Sequence, residues 1–257
     1  MKPFLITSAC LLLCKCGWFL AAQIRGRNDL ADVAWGLGFI LVAAVSVVAG
    51  GIYPLRGLLV SGLVLAWGVR LALHIHSRNS AKGEDPRYKK WREEWGRWFV
   101  LRSFLQIFML QGILLLLVAT PVWYANLNAP VPLGRLDLLG LALWLAGFCC
   151  EALADRQLLR FIRDPRSRGL LMTTGLWRYS RHPNYFGEVL LWWGIWLIAC
   201  SLPGGWLTII GPLTITILIL KVSGIPMLEE HYQGRADFEE YKRRTSAFFP
   251  LPPRRGV

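Results

Sequence analysis

Long apolar blocks separated by short polar turns dominate the pattern along the chain. A helix that crosses a bilayer needs about 20 mostly apolar residues, because in lipid its backbone must satisfy its own hydrogen bonds. The blocks Pro3 to Ala22, Ala31 to Gly50, Gly57 to Ile75, Phe99 to Tyr124, Leu136 to Ala154, Phe186 to Leu202 and Trp206 to Leu220 meet that demand, the last as a short span. The pattern predicts an all-α, polytopic membrane protein with about seven transmembrane helices. No polar stretch is long enough for a separate soluble domain. The chain therefore reads as a single membrane domain over residues 1–257, with N-terminal helices in 1–135 and a second half in 136–257.

The polar turns alternate in charge. Lys and Arg gather at Arg25 and Arg27, at Arg78 to Arg97, at Arg156 to Arg181 and in the tail from Arg235, while the turns near Tyr53, Asn126 to Pro132 and Pro203 are nearly free of positive charge. With seven spans the basic clusters share one side, and the positive-inside rule predicts an outside N-terminus and a cytoplasmic C-terminus. A bacterial inner membrane or the endoplasmic reticulum fits this arrangement. The net charge of +13 is then a membrane signature, suited to anionic headgroups, and no nucleic-acid partner is implied.

The opening segment has a signal peptide as its alternative reading, with charged Lys2 and small residues at Ala21 and Ala22. Lys15 interrupts the apolar run, however, and the segment leads into another span. The 6 Cys lie among apolar neighbours, Cys14 and Cys16 lack metal-ligand spacing, and no metal is expected. Gly36 and Gly38 sit in an apolar span without the strand of a dinucleotide fingerprint. The stretch from Ser77 to Trp98 mixes Lys and Arg with acids and aromatics and reads as an amphipathic interfacial helix, with a lid over the cofactor as a secondary role.

Chemistry concentrates further along. Glu151 and Asp155 stand one helical turn apart at the inner end of the fifth span. Carboxylates there face a cavity or a partner, and Arg156, Arg160 and Arg163 offer interfacial ion pairs as the alternative. From Gly175 to Glu188 come two Arg, a His, an Asn, a Glu and several aromatics, just ahead of the sixth span. Pro183 suits a first helical turn, whose free N–H groups hold phosphate, with Arg178 and Arg181 in support. A membrane-interface belt accounts for Trp177 and Tyr179, but not for Asn184 and Glu188, which continue into the apolar span.

Arg181-His-Pro-Asn-Tyr-Phe-Gly-Glu188 resembles the cofactor-binding signature of membrane steroid and sterol reductases. Together with Glu151, Asp155, Gly175-Leu-Trp177, Glu229, Glu230, Glu240 and Tyr241, and with Asp32-Val-Ala-Trp-Gly36 and Asp85-Pro-Arg-Tyr88 in the first half, it resembles the bacterial-type branch of the steroid 5-alpha-reductase family. Isoprenylcysteine carboxyl methyltransferases are similar, with their own variant of the motif and an acidic tail. The resemblance implies contacts to NADPH from Asp155, Asn184, Tyr185 and Glu188, with Tyr179, Arg181 and His182 close by. By charge alone, Arg160 and Arg163 favour the polyanionic cofactor. Glu151 stands where those reductases tend to have Asn. Their carbonyl-polarising Glu and Tyr have no clean counterpart, leaving Asp32, His74 and His76 as candidate catalytic acids on chemistry alone.

The expectation is an NADPH-dependent membrane reductase that reduces a conjugated carbon–carbon double bond in a lipophilic substrate, such as a steroid or isoprenoid. The cofactor would enter from the cytoplasm and the substrate from lipid. The alternatives are an S-adenosylmethionine-dependent methyltransferase and a nonenzymatic lipid-binding protein.

Overall fold

The computed structural model describes residues 2–79 and 83–254. Among them there is no strand, and six helical stretches are long and apolar enough to cross a membrane. The first three are α1 (Lys2–Arg25), α2 (Leu30–Gly50) and α3 (Leu55–Asn79). The stretch expected to form an interfacial helix contains α4 (Pro86–Trp95), whose N-cap Asp85 accepts from Arg87 N at 2.9 Å; α4 opens the fourth of the six long apolar stretches, Pro86–Val118. Residues 80–82 of the stretch read as interfacial lie outside the described residues.

The fourth expected span is composite. It passes through α5 (Phe99–Arg102), a π-helical stretch (Ser103–Met109) and α6 (Leu110–Val118). The helix then breaks at Ala119 and restarts as α7 (Thr120–Leu127), with Pro121 in the first turn, where its missing N–H costs nothing. Next comes α8 (Arg135–Arg163), which carries Asp155, Arg160 and Arg163 on regular helix well beyond the expected end at Ala154. The sixth expected span is α9 (Pro183–Ala199), only 17 residues long, about 25 Å at the usual helical rise. This shorter helix is not among the six stretches. The last is a 3₁₀ turn, α10 (Ile210–Ile217) and a second π-helical stretch, followed by the short tail helices α11 (Ile225–Glu230) and α12 (Ala236–Arg244).

The helices group into two compact units, one of residues 1–134 and 198–211, the other of 135–197 and 212–257. In the first, α2 and α3 cross where Gly36 faces Gly68. A Cβ on either residue would lie 2.8 Å from the other's carbonyl oxygen. Gly36 is therefore a helix-crossing residue. Trp67, Phe39, Leu11 and Leu115 fill the interior around it, and α4 docks by Tyr88 against Ala22, Ala31, Ile107 and Phe108.

The second unit is organised by a closer crossing. A Cβ on Gly147 of α8 would lie 2.6 Å from Gly187 O, and one on Gly194 of α9 2.6 Å from Gly140 O. The pairs are seven residues apart on each helix, the spacing that keeps one face in register over two turns. Backbone therefore meets backbone, and the polar residues beside the glycines are pressed together.

Gly187→Ala is expected to destabilise the protein by about 2 kcal/mol, as overpacking of a close contact does, because its Cβ would lie 2.5 Å from Glu151 N. Gly62→Ala in α3, with nothing within 4 Å, should be neutral or stabilising. Thermal melts of both variants in the same detergent check the contrast.

Candidate functional site

In the second unit the motif is built from Gly175 onward. Gly175 has φ +62 and its α-carbon packs against Gln157, whose Oε1 accepts from Leu176 N at 3.0 Å. A side chain there would meet both strain and the amide. A 3₁₀ turn over Gly175–Arg178 follows, and Trp177 donates its indole N–H to Ala154 O at 3.2 Å, tying the turn to α8.

The C-terminal tail then straps across the motif. Arg181 N donates to Ser246 O at 2.8 Å, Ser180 Oγ to Phe248 O at 2.8 Å, and Leu251 N to Tyr179 O at 2.9 Å. Phe186 packs edge-on against Phe248 and Phe249. Tyr241 donates to Trp177 O. Burial pushes that hydroxyl well above its ordinary pKa, so it stays a donor at any physiological pH.

Arg181 and His182 are spent on this strap. The Arg181 guanidinium grips Glu229 with two bonds, 2.8 and 3.2 Å, and gives a third to Thr245 O at 2.6 Å. His182 Nε2 lies 3.0 Å from the same Glu229 oxygen, and its ring stacks on Tyr185. Here Arg181 and His182 hold the tail. Glu229, which the sequence placed only in an acidic tail, is their common partner.

Pro183 opens α9, as expected, and Asn184 and Glu188 follow on one face. Across the glycine crossing lie Glu151 and Asp155, exposed by only 2% and 5%, with Glu188 at 9%. Asn184 Nδ2 donates to Asp155 Oδ1 at 3.2 Å. An ionised carboxylate only accepts, so the amide's orientation is fixed. Its other end, Asn184 Oδ1, is buried and has no hydrogen-bond partner among the described residues.

Other expected site residues lie elsewhere. Tyr179 is exposed, as are Arg160 and Arg163. Arg160 is roughly 140° round α8 from Asp155 at 100° per residue. It lines an open groove of about 370 Å³ with Gln157, Phe161, Asp164, Met172 and Thr174.

In the first unit, Asp32 is engaged on both oxygens, by Arg87 at 2.8 Å and by the Tyr88 hydroxyl at 2.7 Å. Arg87 also holds Asp85 at 3.0 Å. Burial pushes the Asp85 carboxyl up, but the hydrogen bonds and charge of Arg87 outweigh it and keep the pKa below the usual range. His74 is half-buried and His76 exposed, near the end of α3. The structure thus sets a tyrosine against a carboxylate in this half, a pair the sequence hid by separating Asp32 and Tyr88 in the chain.

Glu229→Gln should lower stability by about 2 kcal/mol, the loss from breaking a buried pair discounted for its partial exposure. It should also speed trypsin cleavage near Lys242, because Arg181 and His182 lose the carboxylate that anchors the tail. Proteolysis rate and melting temperature together check this, and an unchanged cleavage rate contradicts the strap.

Among curated proteins, 3-oxo-5-alpha-steroid 4-dehydrogenase 1 of Rattus norvegicus is 30% identical over 115 residues, 44% of this chain and 41% of the relative. The Mus musculus protein of the same name is 30% identical over 116 residues, 44% and 42%. An uncharacterised protein of Schizosaccharomyces pombe is 27% identical over 164 residues, 55% and 48%. The chain thus spans under half the length of each of these relatives. No solved structure matches. A family model described as a protein of unknown function, DUF1295, matches residues 18–245, and the chain belongs to that family.

Proposed function

We propose that this protein is a membrane reductase that uses NADPH to saturate a conjugated carbon–carbon double bond in a lipophilic enone. The likeness to 3-oxo-5-alpha-steroid 4-dehydrogenases supports the reaction class, and the apolar helices support a substrate that arrives through lipid. The observation that supports the cofactor is Asn184 Oδ1, a buried acceptor with no partner among the described residues. An orphaned buried acceptor is costly unless a ligand supplies a donor, and a carboxamide N–H does so.

When bound, NADPH supplies the hydride, which adds to the β-carbon of the enone while a proton adds to the α-carbon. The chain's own residues orient and polarise. Asp155 fixes Asn184, Asn184 would accept from the carboxamide, and the buried carboxylates Glu151, Asp155 and Glu188 would favour positive charge developing beside them. The exposed Arg156 and Arg163 on α8 are suited to phosphates.

The same carboxylates favour a second reading, since a sulfonium also prefers acidic surroundings. Titrating purified protein with NADPH and with S-adenosylmethionine separates the two. NADPH is expected to bind, and binding of S-adenosylmethionine alone replaces the reductase with a methyltransferase. Asn184→Leu should weaken NADPH binding at least tenfold, the loss of one well-placed buried hydrogen bond, and should also lower the melting temperature, because Asp155 loses the amide that donates to it; affinity is therefore read at a temperature where the variant is folded. We further propose a cytoplasmic cofactor face. A tag after Val257 should be protected in intact cells and a tag before Met1 exposed, and the reverse labelling overturns that orientation.

A further inference from the structure

Away from the glycine seam, α8 carries a second organised face. Its apolar block ends at Ala154 and Arg160 follows six residues later, about 9 Å further along the helix at the usual rise. Headgroup layers widen a bilayer from about 30 Å of hydrocarbon to about 40–45 Å. With the apolar block in the hydrocarbon, Arg160 therefore stands at the depth of lipid phosphates. Leu139, Leu143 and Leu153 are exposed by 57%, 36% and 51%, and Cys149 is exposed with them. At roughly 100° per residue these four share one face of α8, and Gln157, Arg160 and Asp164 continue it. That face is opposite Asp155 and so lies on the far side of α8 from the seam with Asn184.

The polar continuation is a groove of about 370 Å³, formed by the end of α8 and the loop that leads to Gly175. Phe161 and Met172 supply apolar walls, and Gln157, Arg160, Ser167 and Thr174 supply polar groups. Asp164 also lines it, but Arg166 already holds both its oxygens, at 3.1 and 3.0 Å. Gln157 Oε1 is taken by Leu176 N, which leaves N–H as what the amide offers. Arg160 is exposed and takes no carboxylate among the described residues. Leu170 in the same loop is 62% exposed, an apolar side chain placed better in lipid than in water.

We propose that this groove binds the phosphate of an anionic glycerophospholipid from the surrounding leaflet, with Arg160 on the phosphate and an acyl chain along the face that Leu153, Cys149 and Leu139 present. Two features select that occupant. The groove and the exposed leucines ask for a charged head and an apolar tail at adjoining depths on one helix face, and an amphiphile supplies both. Between positions 160 and 175, Arg160, Arg163, Arg166 and Arg168 stand against a single acid, Asp164, so an anionic headgroup is favoured over a zwitterionic one. A guanidinium with an amide and hydroxyls beside it suits phosphate oxygens. This site goes beyond the reductase reading and does not depend on it.

The test places the full chain in nanodiscs of equal parts phosphatidylglycerol and phosphatidylcholine and weighs the lipid it retains by native mass spectrometry. The wild type should retain phosphatidylglycerol in preference. Arg160→Gln should cut that retention about tenfold, the worth of a hydrogen bond to a charged group. Arg243→Gln removes the same charge from an exposed position on α12 outside the groove and should leave retention within about twofold. Thr174→Trp keeps every charge but fills the groove from an exposed position, so it should lose the lipid as well. Excess inorganic phosphate should not displace the lipid, and NADPH affinity should be unchanged in Arg160→Gln. No preference in the wild type, equal losses in Arg160→Gln and Arg243→Gln, or full retention in Thr174→Trp means diffuse surface charge and overturns the proposal. Displacement by inorganic phosphate overturns the lipid as occupant, and a loss of NADPH affinity in Arg160→Gln with lipid retention intact gives the groove to the nucleotide. If the wild type ignores NADPH yet retains lipid through Arg160, the lipid site stands and the reductase reading falls.

Discussion

Two helices that touch through glycine set the conditions for everything polar in the second unit. At Gly147 and Gly187 the approach is so close that a methyl group on either residue would strike main-chain atoms of the other helix. A contact of that kind excludes lipid and water from the seam. Glu151 and Asp155 on one helix, and Asn184 and Glu188 on the other, flank it because they sit within a turn or two of those glycines. Carboxylates in an apolar span are tolerated only with partners or a ligand, and the glycine seam makes that burial unavoidable.

A second constraint keeps the seam's entrance in shape. Asn184 is the second residue of α9, where helices fray. The turn before it carries no regular secondary structure that would hold it, so the C-terminal tail does this instead, through Glu229 with Arg181 and His182 and through main-chain bonds from residues 179–181 to 246–251. The motif's two most eye-catching polar residues thus act on the protein. Asn184, less conspicuous, is left facing an unmet need.

The sequence made the helices legible because hydrophobic blocks of membrane length have few other physical outcomes. It also located Pro183 as a helix start and the polar run beside it. Three things were not legible. Periodicity does not reveal the break at Ala119 or the π-helical stretches, because those depend on which backbone carbonyls find partners in the packed state. Pairing of Asp32 with Tyr88, and of Arg181 with Glu229, joins residues tens of positions apart, and no local spacing encodes it. Lys15 showed itself only as an interruption in an apolar run, since the meaning of a buried charge depends on what stands opposite.

In the second unit the acceptor Asn184 Oδ1 is unmet among the described residues, while its amide nitrogen is held by the carboxylate of Asp155. An amide held by an anion at nitrogen becomes a better acceptor. The glycine seam buries this acceptor, the tail strap holds the turn in front of it, and the neighbouring carboxylate sharpens it, so each constraint on this unit raises the worth of a donor that reaches Oδ1.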